Sequence, residues 1–323
     1  MELKKIPVAD IGGFRIGNAQ NFSALTGVTA IVFDKPNVAG IDISGGGPAS
    51  RESYLFTPLA YQQSITALLL SGGSAYGLEA ACGAMKYLEE HGKGYRLGDI
   101  VVPIVPQSCI FDLGIGSPDI RPDIQMGYNA CKDAENGGAV SGSFGGGTGA
   151  TVGKAFGMRR AQKSGIGYCA FSLGEFKVGA AVIVNAFGDI FDCRSGQKIA
   201  GALTEDRTSF ASSEEALYRS SLKMQKGENT TIGAVIMNGN FSQQQMSKIA
   251  AMTRAALARS INPVGTSGDG DTMYAVSVGG VQSDPDTAGA LACRAVSEAI
   301  TDAVMSSKMD DEKYLSLCGP VRP

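Results

Sequence analysis

Apolar, β-branched runs punctuate the chain at 27–33 (GVTAIVF), 38–44 (VAGIDIS), 99–106 (DIVVPIVP), 166–173 (IGYCAFSL), 175–185 (EFKVGAAVIVN), 231–238 (TIGAVIMN) and 272–278 (TMYAVSV). Many are apolar at successive positions, the pattern of strands covered on both faces. Helical spacing is clearest over 74–90, 242–261 and 286–305. The second of these opens on an S-x-x-Q capping box, Ser242 with Gln245, and carries Met246, Ile249, Met252, Ala256 and Leu257 at helical intervals. Strand, helix and strand therefore follow one another directly after Thr231. Two sheets packed on each other with helices outside give a four-layer αββα sandwich, and a two-layer α/β fold satisfies the same pattern. The four-layer arrangement is the expectation taken forward, as one domain over residues 1–323.

Composition narrows the class. With 323 residues and 44% hydrophobic content, the chain can bury a core without staples. A net charge of −3 leaves no electrostatic footprint for nucleic acid, and no basic amphipathic stretch suggests a membrane surface. The opening residues, MELKKIPVADIGG, lack a signal-peptide core and no segment approaches a membrane span, so a cytoplasmic location is expected. Seven cysteines, odd in number and never spaced C-x-x-C, read as buried thiols, not as a disulfide framework or zinc site. No metal or cofactor is expected. Glycine, 44 residues, runs at close to twice its usual share of about 7%. It falls in bursts at 44–50, 70–77 and 143–153, loops of bare backbone that suit close approach of a substrate or a second backbone.

The hydrophilic, serine-rich segment 196–229 is linker-like and is the best candidate boundary. It ends at Asn229, Thr230 and Thr231, where KMQKGEN gives way to TTIGAVIMN. A threonine at the mouth of a buried strand is where a self-cleaving hydrolase keeps its nucleophile. The chain has one histidine, His91, in the charged segment EEHGKG, so a Ser-His-Asp or Cys-His hydrolase is hard to build. Without imidazole, a hydroxyl nucleophile takes a lysine or its own α-amino group as base, and the second option requires cutting the chain.

Three further constellations carry chemistry. The loop GGGTGATVGK fails the Walker pattern, because Thr148 and Ala155 stand where Gly and Ser or Thr are required. Its Gly145, Gly147 and Ala150 fit a dinucleotide fingerprint but follow a polar stretch in place of a strand. Lys154 there reads as a solvated lysine after a tight loop. Asp269 and Asp271 flank Gly270 just before a strand and point to one side. They offer too few oxygens for calcium, suit an ammonium group, and equally form an Asp-Gly turn. Asn185, ending AAVIVN, either closes a turn or presents amide donors to an oxyanion.

The ordered segments LTGVTAIVF, SGGGPASRE, LSGGSAYGLEAA, VPIVPQSCIFDL, GGTGATVGK, VGAAVIVNAFGDI, ENTTIGAVIMN and SGDGDTMYAV make the chain closely resemble the L-aminopeptidase/D-esterase family. That family includes β-aminopeptidases and nylon-oligomer hydrolases. The resemblance implies a self-processing hydrolase, cut between Asn229 and Thr230 into an α chain (1–229) and a β chain (230–323). It implies Thr230 as nucleophile, the new α-amine as base, Asn185 as oxyanion donor, and Lys154, Asp269 and Asp271 in support. Tyr76, in GGSAYGLE, matches a tyrosine that faces the substrate. Small peptides, amides or esters are the implied substrates, and a homotetramer the implied assembly. Thr231 leaves a cut one residue later open, and the N-T-T pattern of the family favours Thr230. An N-to-O acyl shift followed by ester hydrolysis would make the cut. The resulting amine, with an unperturbed pKa of about 7.7–8.0, suits general-base work at neutral pH. Lys154 would lower that value and the two aspartates raise it. Two other readings stand beside this one: an acyltransferase of the ornithine acetyltransferase kind, and an uncleaved, non-catalytic binding scaffold.

Overall fold

The computed structural model describes residues 2–61, 63–219 and 229–318. Of the linker-like segment 196–229, residues 220–228 lie outside the described residues; its earlier part holds a short strand, Lys198–Ala200, and a helix, Ser213–Arg219.

Among the described residues, one hydrogen-bonded path joins β1 (Leu3–Ile6), β2 (Phe14–Asn21), β3 (Thr26–Ile43), β4 (Ala49–Arg51), β5 (Ser64–Ser71), β6 (Gln107–Cys109), β7 (Ile166–Leu173), β8 (Phe176–Asn185), β9 (Thr230–Gly239) and β10 (Thr272–Val281). The order is β1-β7-β8-β9-β10-β3-β5-β6-β4, with β2 beside β3. The first half of β3 pairs with β2 and β5, and its second half pairs with β10. Between them the register shifts, and Asp34, Lys35 and Pro36 are exposed. Proline donates no hydrogen bond, so the ladder to β5 breaks at this polar interruption, resumes at Asn37 and Val38, and gives way to β10 from Ala39. Two apolar runs in the sequence are thus a single strand.

Alternating side chains show how the path folds on itself. Val178, Ala180, Val182 and Val184 of β8 join one buried cluster, while Ala181 and Ile183 join a second that also takes Leu68 and Leu70 of β5. Ala67 and Leu69 of β5 turn the other way, into a third cluster. The middle cluster is therefore the interface between two sheets. Helices close the outer faces: α1 (Ala80–Glu90) and α2 (Ile124–Asp133) on one side, α3 (Gln243–Met252), α4 (Arg254–Ser260) and α5 (Pro285–Met305) on the other. This is the αββα sandwich. β9 and β10 lie parallel, with α3 and α4 as the crossover between them, as parallel pairing requires.

Several elements differ from expectation. The 242–261 helix is broken at Thr253, whose hydroxyl donates to Ala250 O at 2.6 Å and competes with the helical ladder. The 74–90 helix is α-helical only from Ala80, because Gly73 and Ser74 take positive φ and lead into a 3-10 turn, Ser74–Glu79. The run 99–106 holds only a short strand, Ile100–Val102, and prolines 103 and 106 end it. Helix α2 was not foreseen. Its Gly127 weakens the helical pattern, yet a Cβ there would meet Ala80 O at 1.9 Å, so glycine is what lets α2 lie against α1. No helix among the described residues is long and apolar enough to cross a membrane.

The capping box at the start of α3 forms in both directions, Ser242 accepting from Gln245 N and Gln245 Oε1 from Ser242 N. Ser242→Ala should lower stability by about 1 kcal/mol. Calorimetry should read a melting temperature one or two degrees lower, and an unchanged value would mean the cap is dispensable.

Candidate active site

The end of β8 meets the beginning of β9, with Asn185 opposite Thr230, and β9 lies beside the start of β10. Polar residues at the ends of three buried strands are thereby gathered at one end of the sheet. Thr230 is only 5% exposed. Its hydroxyl donates to the carbonyl oxygen of Asn229, and the same oxygen accepts the Gly270 N–H at 3.0 Å.

Asn185 is fully buried. Its Oδ1 accepts from Thr151 N at 3.0 Å and its Nδ2 donates to Phe111 O at 2.9 Å, so the two neighbours dictate which way the amide faces. One N–H of the amide is left for another acceptor.

Lys154 is not solvated. It is buried, and its Nζ donates to Asn185 O at 2.9 Å. Its loop docks on the turn that follows β8, Gly153 N donating to Gly188 O and Lys154 N to Phe187 O, both at 3.1 Å. Gly153 has φ 74°, and a Cβ there would lie 2.0 Å from Ala202 N; only glycine permits this close docking. The preceding glycines 145–147 are buried as well, which removes the open cradle a phosphate would need.

Asp269 and Asp271 do converge. Asp269 Oδ2 accepts from Thr266 N at 2.7 Å, the turn-capping bond of the simpler reading. Asp271 accepts from Thr231 N at 2.5 Å and Gly265 N at 2.9 Å. Burial pushes both carboxyls up, Asp271 to about 7 with the Asp269 charge adding to the effect, while Lys154 acts on both in the opposite sense. The 44–50 glycine burst lies flat on this turn: Ser44 N donates to Asp271 O and Gly47 N to Asp269 O, at 3.0 and 2.8 Å. Asp269 Oδ1, Asn229 Oδ1 and Thr231 Oγ1 are buried with no hydrogen-bond partner among the described residues.

Tyr76 is exposed on the 3-10 turn, with the Arg121 guanidinium carbon 3.7 Å from its ring centroid. His91 is stacked on Tyr87 at the C-terminal end of α1. The cysteines are all free, and no group of three or more potential metal ligands occurs among the described residues.

A buried pair escaped the sequence reading. Asp112 follows Phe111 and accepts from Gly73 N and Thr26 Oγ1, each at 2.7 Å. Burial raises it to about 6 and pulls nearby Lys163 down to about 7, although each charge favours the other. Lys163 Nζ donates to Ala150 O and Ser164 O. A carboxylate inside the apolar run SCIFDLG was the available signal; Lys163, in the polar stretch QKSG, carried none.

Two packed sheets thus lie between helical layers, and a hydroxyl at a strand mouth is gathered with a lysine, an amide and two carboxyls at one end of the sheet. The chain belongs to Peptidase family S58, whose model matches residues 7–313. It is 35% identical over 294 residues to an uncharacterized aminopeptidase of Mycobacterium bovis, covering 86% of this chain and 83% of that protein. It is 29% identical over 272 residues to the 6-aminohexanoate-oligomer endohydrolase of a Kocuria species, covering 83% and 74%. Among solved structures it is similar to the L-aminopeptidase D-Ala-esterase/amidase of Ochrobactrum anthropi, a variant of the Ntn hydrolase fold, with TM-score 0.72 at 16% identity over 97% of this chain and 95% of that one. A Burkholderia β-aminopeptidase superposes at TM-score 0.64, 17% identity, over 98% and 95%. The protein is thus a hydrolase of the S58 aminopeptidase family with the Ntn fold, and the scaffold reading falls away.

Proposed function

We propose that the chain cuts itself between Asn229 and Thr230 and then acts as an aminopeptidase, releasing N-terminal residues from small peptides, amides or esters through an acyl-enzyme on Thr230. The observation that carries this is the Thr230 hydroxyl held against the Asn229 carbonyl.

Cutting would convert one amide N–H into an ammonium with three donors. Asp269 Oδ1, buried beside Asn229 and without a donor among the described residues, is the acceptor suited to it. Lys154 opposes that charge and favours the neutral amine that a general base must be. Asp271, with a pKa near neutrality, suits taking and returning a proton. The free N–H of Asn185 would receive the charge that develops on the substrate carbonyl oxygen. Tyr76 is assigned to the substrate on the match of its GGSAYGLE loop to the family, and its exposure is compatible with that role.

In this reading the processed units form a cytoplasmic homotetramer, and exposed Tyr54, Leu59 and Tyr61 supply apolar surface for it. Intact-mass and native mass spectrometry of the purified protein should show two fragments, one beginning at Thr230, in a four-unit assembly. The same sample should hydrolyse at least one of a panel of L-, D- and β-aminoacyl anilides and esters, with water outcompeting an added amine. A chain that stays at 33.4 kDa, or a fragment beginning at Thr231, sinks the assignment.

A further inference from the structure

The carbonyl that must gather negative charge during self-cleavage is not served by the side chain assigned to the substrate. Asn185 Nδ2 donates to Phe111 O, whereas Asn229 O accepts from the Gly270 backbone N–H. We infer that the Gly270 amide is the oxyanion donor for self-cleavage, and that the two reactions of Thr230 use different donors, Gly270 N–H for the cut and Asn185 for substrate turnover. The inference rests on the Asn229–Thr230 bond being the one cut.

The peptide unit between Asp269 and Gly270 is clamped at both ends. Its carbonyl accepts Gly47 N at 2.8 Å and its N–H donates to Asn229 O at 3.0 Å. Thr266 N, on the Asp269 carboxylate, and Thr272 Oγ1, on Gly270 O at 3.0 Å, hold the turn from either side. A donor fixed in this way needs no reorganisation as charge appears, which is the condition for strong stabilisation. Bonding at the carbonyl end also polarises the N–H end of the same unit. Residue 270 has no room for a side chain over the nucleophile, since a Cβ would lie 2.9 Å from Thr230 Oγ1.

The step balances as follows. Thr230 Oγ bonds to the Asn229 carbonyl carbon, and the carbonyl π pair moves to oxygen, facing Gly270 N–H. Collapse breaks the C–N bond, and the Thr230 nitrogen ends with the hydroxyl proton. An ester joins the Asn229 acyl group to Thr230 Oγ. Water then hydrolyses it to a carboxylate and a free hydroxyl.

Two full-length variants isolate the donor. Gly270→Ala and Gly270→Pro both place a Cβ near Thr230, and only proline lacks the N–H. Cutting would be timed by mass spectrometry after pulsed cell-free synthesis, and kcat on an aminoacyl anilide normalised to the cut fraction. The proline chain should cut on the order of 10²–10³-fold more slowly than the alanine chain, with similar kcat per cut chain. Equal cutting rates overturn the assignment, and kcat falling in parallel with cutting means a single shared donor. A wild type that fails to cut defeats the self-processing reading itself, before any variant is compared. Should circular dichroism show the proline chain unfolded, glycolic acid at position 270 replaces only the N–H with an ester oxygen, and wild type becomes its control.

Discussion

Thr230→Ala is expected to remain a single 33.4 kDa chain and to lose aminopeptidase activity, while the wild type splits after Asn229. Removing a hydroxyl nucleophile from other hydrolases costs on the order of 10⁶-fold in kcat, so no residual turnover should be measurable. Loss of folding does not explain such a result. The hydroxyl's hydrogen bond runs to the adjacent carbonyl of Asn229, which retains its bond from Gly270 N–H. The melting temperature should therefore shift by only a few degrees. Thr230→Ser keeps the attacking oxygen and should cut and turn over. An alanine chain that still divides at residue 229 would mean another group makes the cut.

Asn185→Ala should lower kcat by about 10²–10³-fold, the loss typical of one oxyanion donor and equivalent to about 2.7–4 kcal/mol. Cutting at residue 229 should persist, because Asn229 O takes its bond from Gly270. The variant should also melt earlier. Alanine leaves Thr151 N–H and Phe111 C=O without their Asn185 partner inside the protein, and each such loss costs about 1–3 kcal/mol. Assays belong well below the new melting point. A drop of only a few-fold, with the same stability loss, would make Asn185 a structural clamp between the 151–154 loop and β8.

Much of this site was legible because its residues interrupt apolar runs. Thr230 opens one buried strand and Asn185 closes another, and Asp269 and Asp271 precede a third, so their polarity stands out against the pattern. Lys154 was misread. The sequence around it is an ordinary glycine loop, and its burial comes from docking on the turn after β8, a contact between distant segments. The Asp112 and Lys163 pair was missed for the same reason. So was α2, whose small residues weaken helical periodicity while permitting its approach to α1.

By itself the sequence determined the runs that form β3, β7, β8, β9 and β10, where β9 begins, and that the chain holds a single histidine. These are local properties of side-chain polarity and backbone preference. Only the tertiary structure decided that the sheets number two with helices on both outer faces, since a strand apolar on both sides does not say what covers each. Only it decided that Gly270 N–H meets Asn229 O, because a backbone amide carries no side-chain signature. Long-range packing of the glycine burst against the Asp269–Asp271 turn positions that amide, and it is there that cutting is proposed to be controlled.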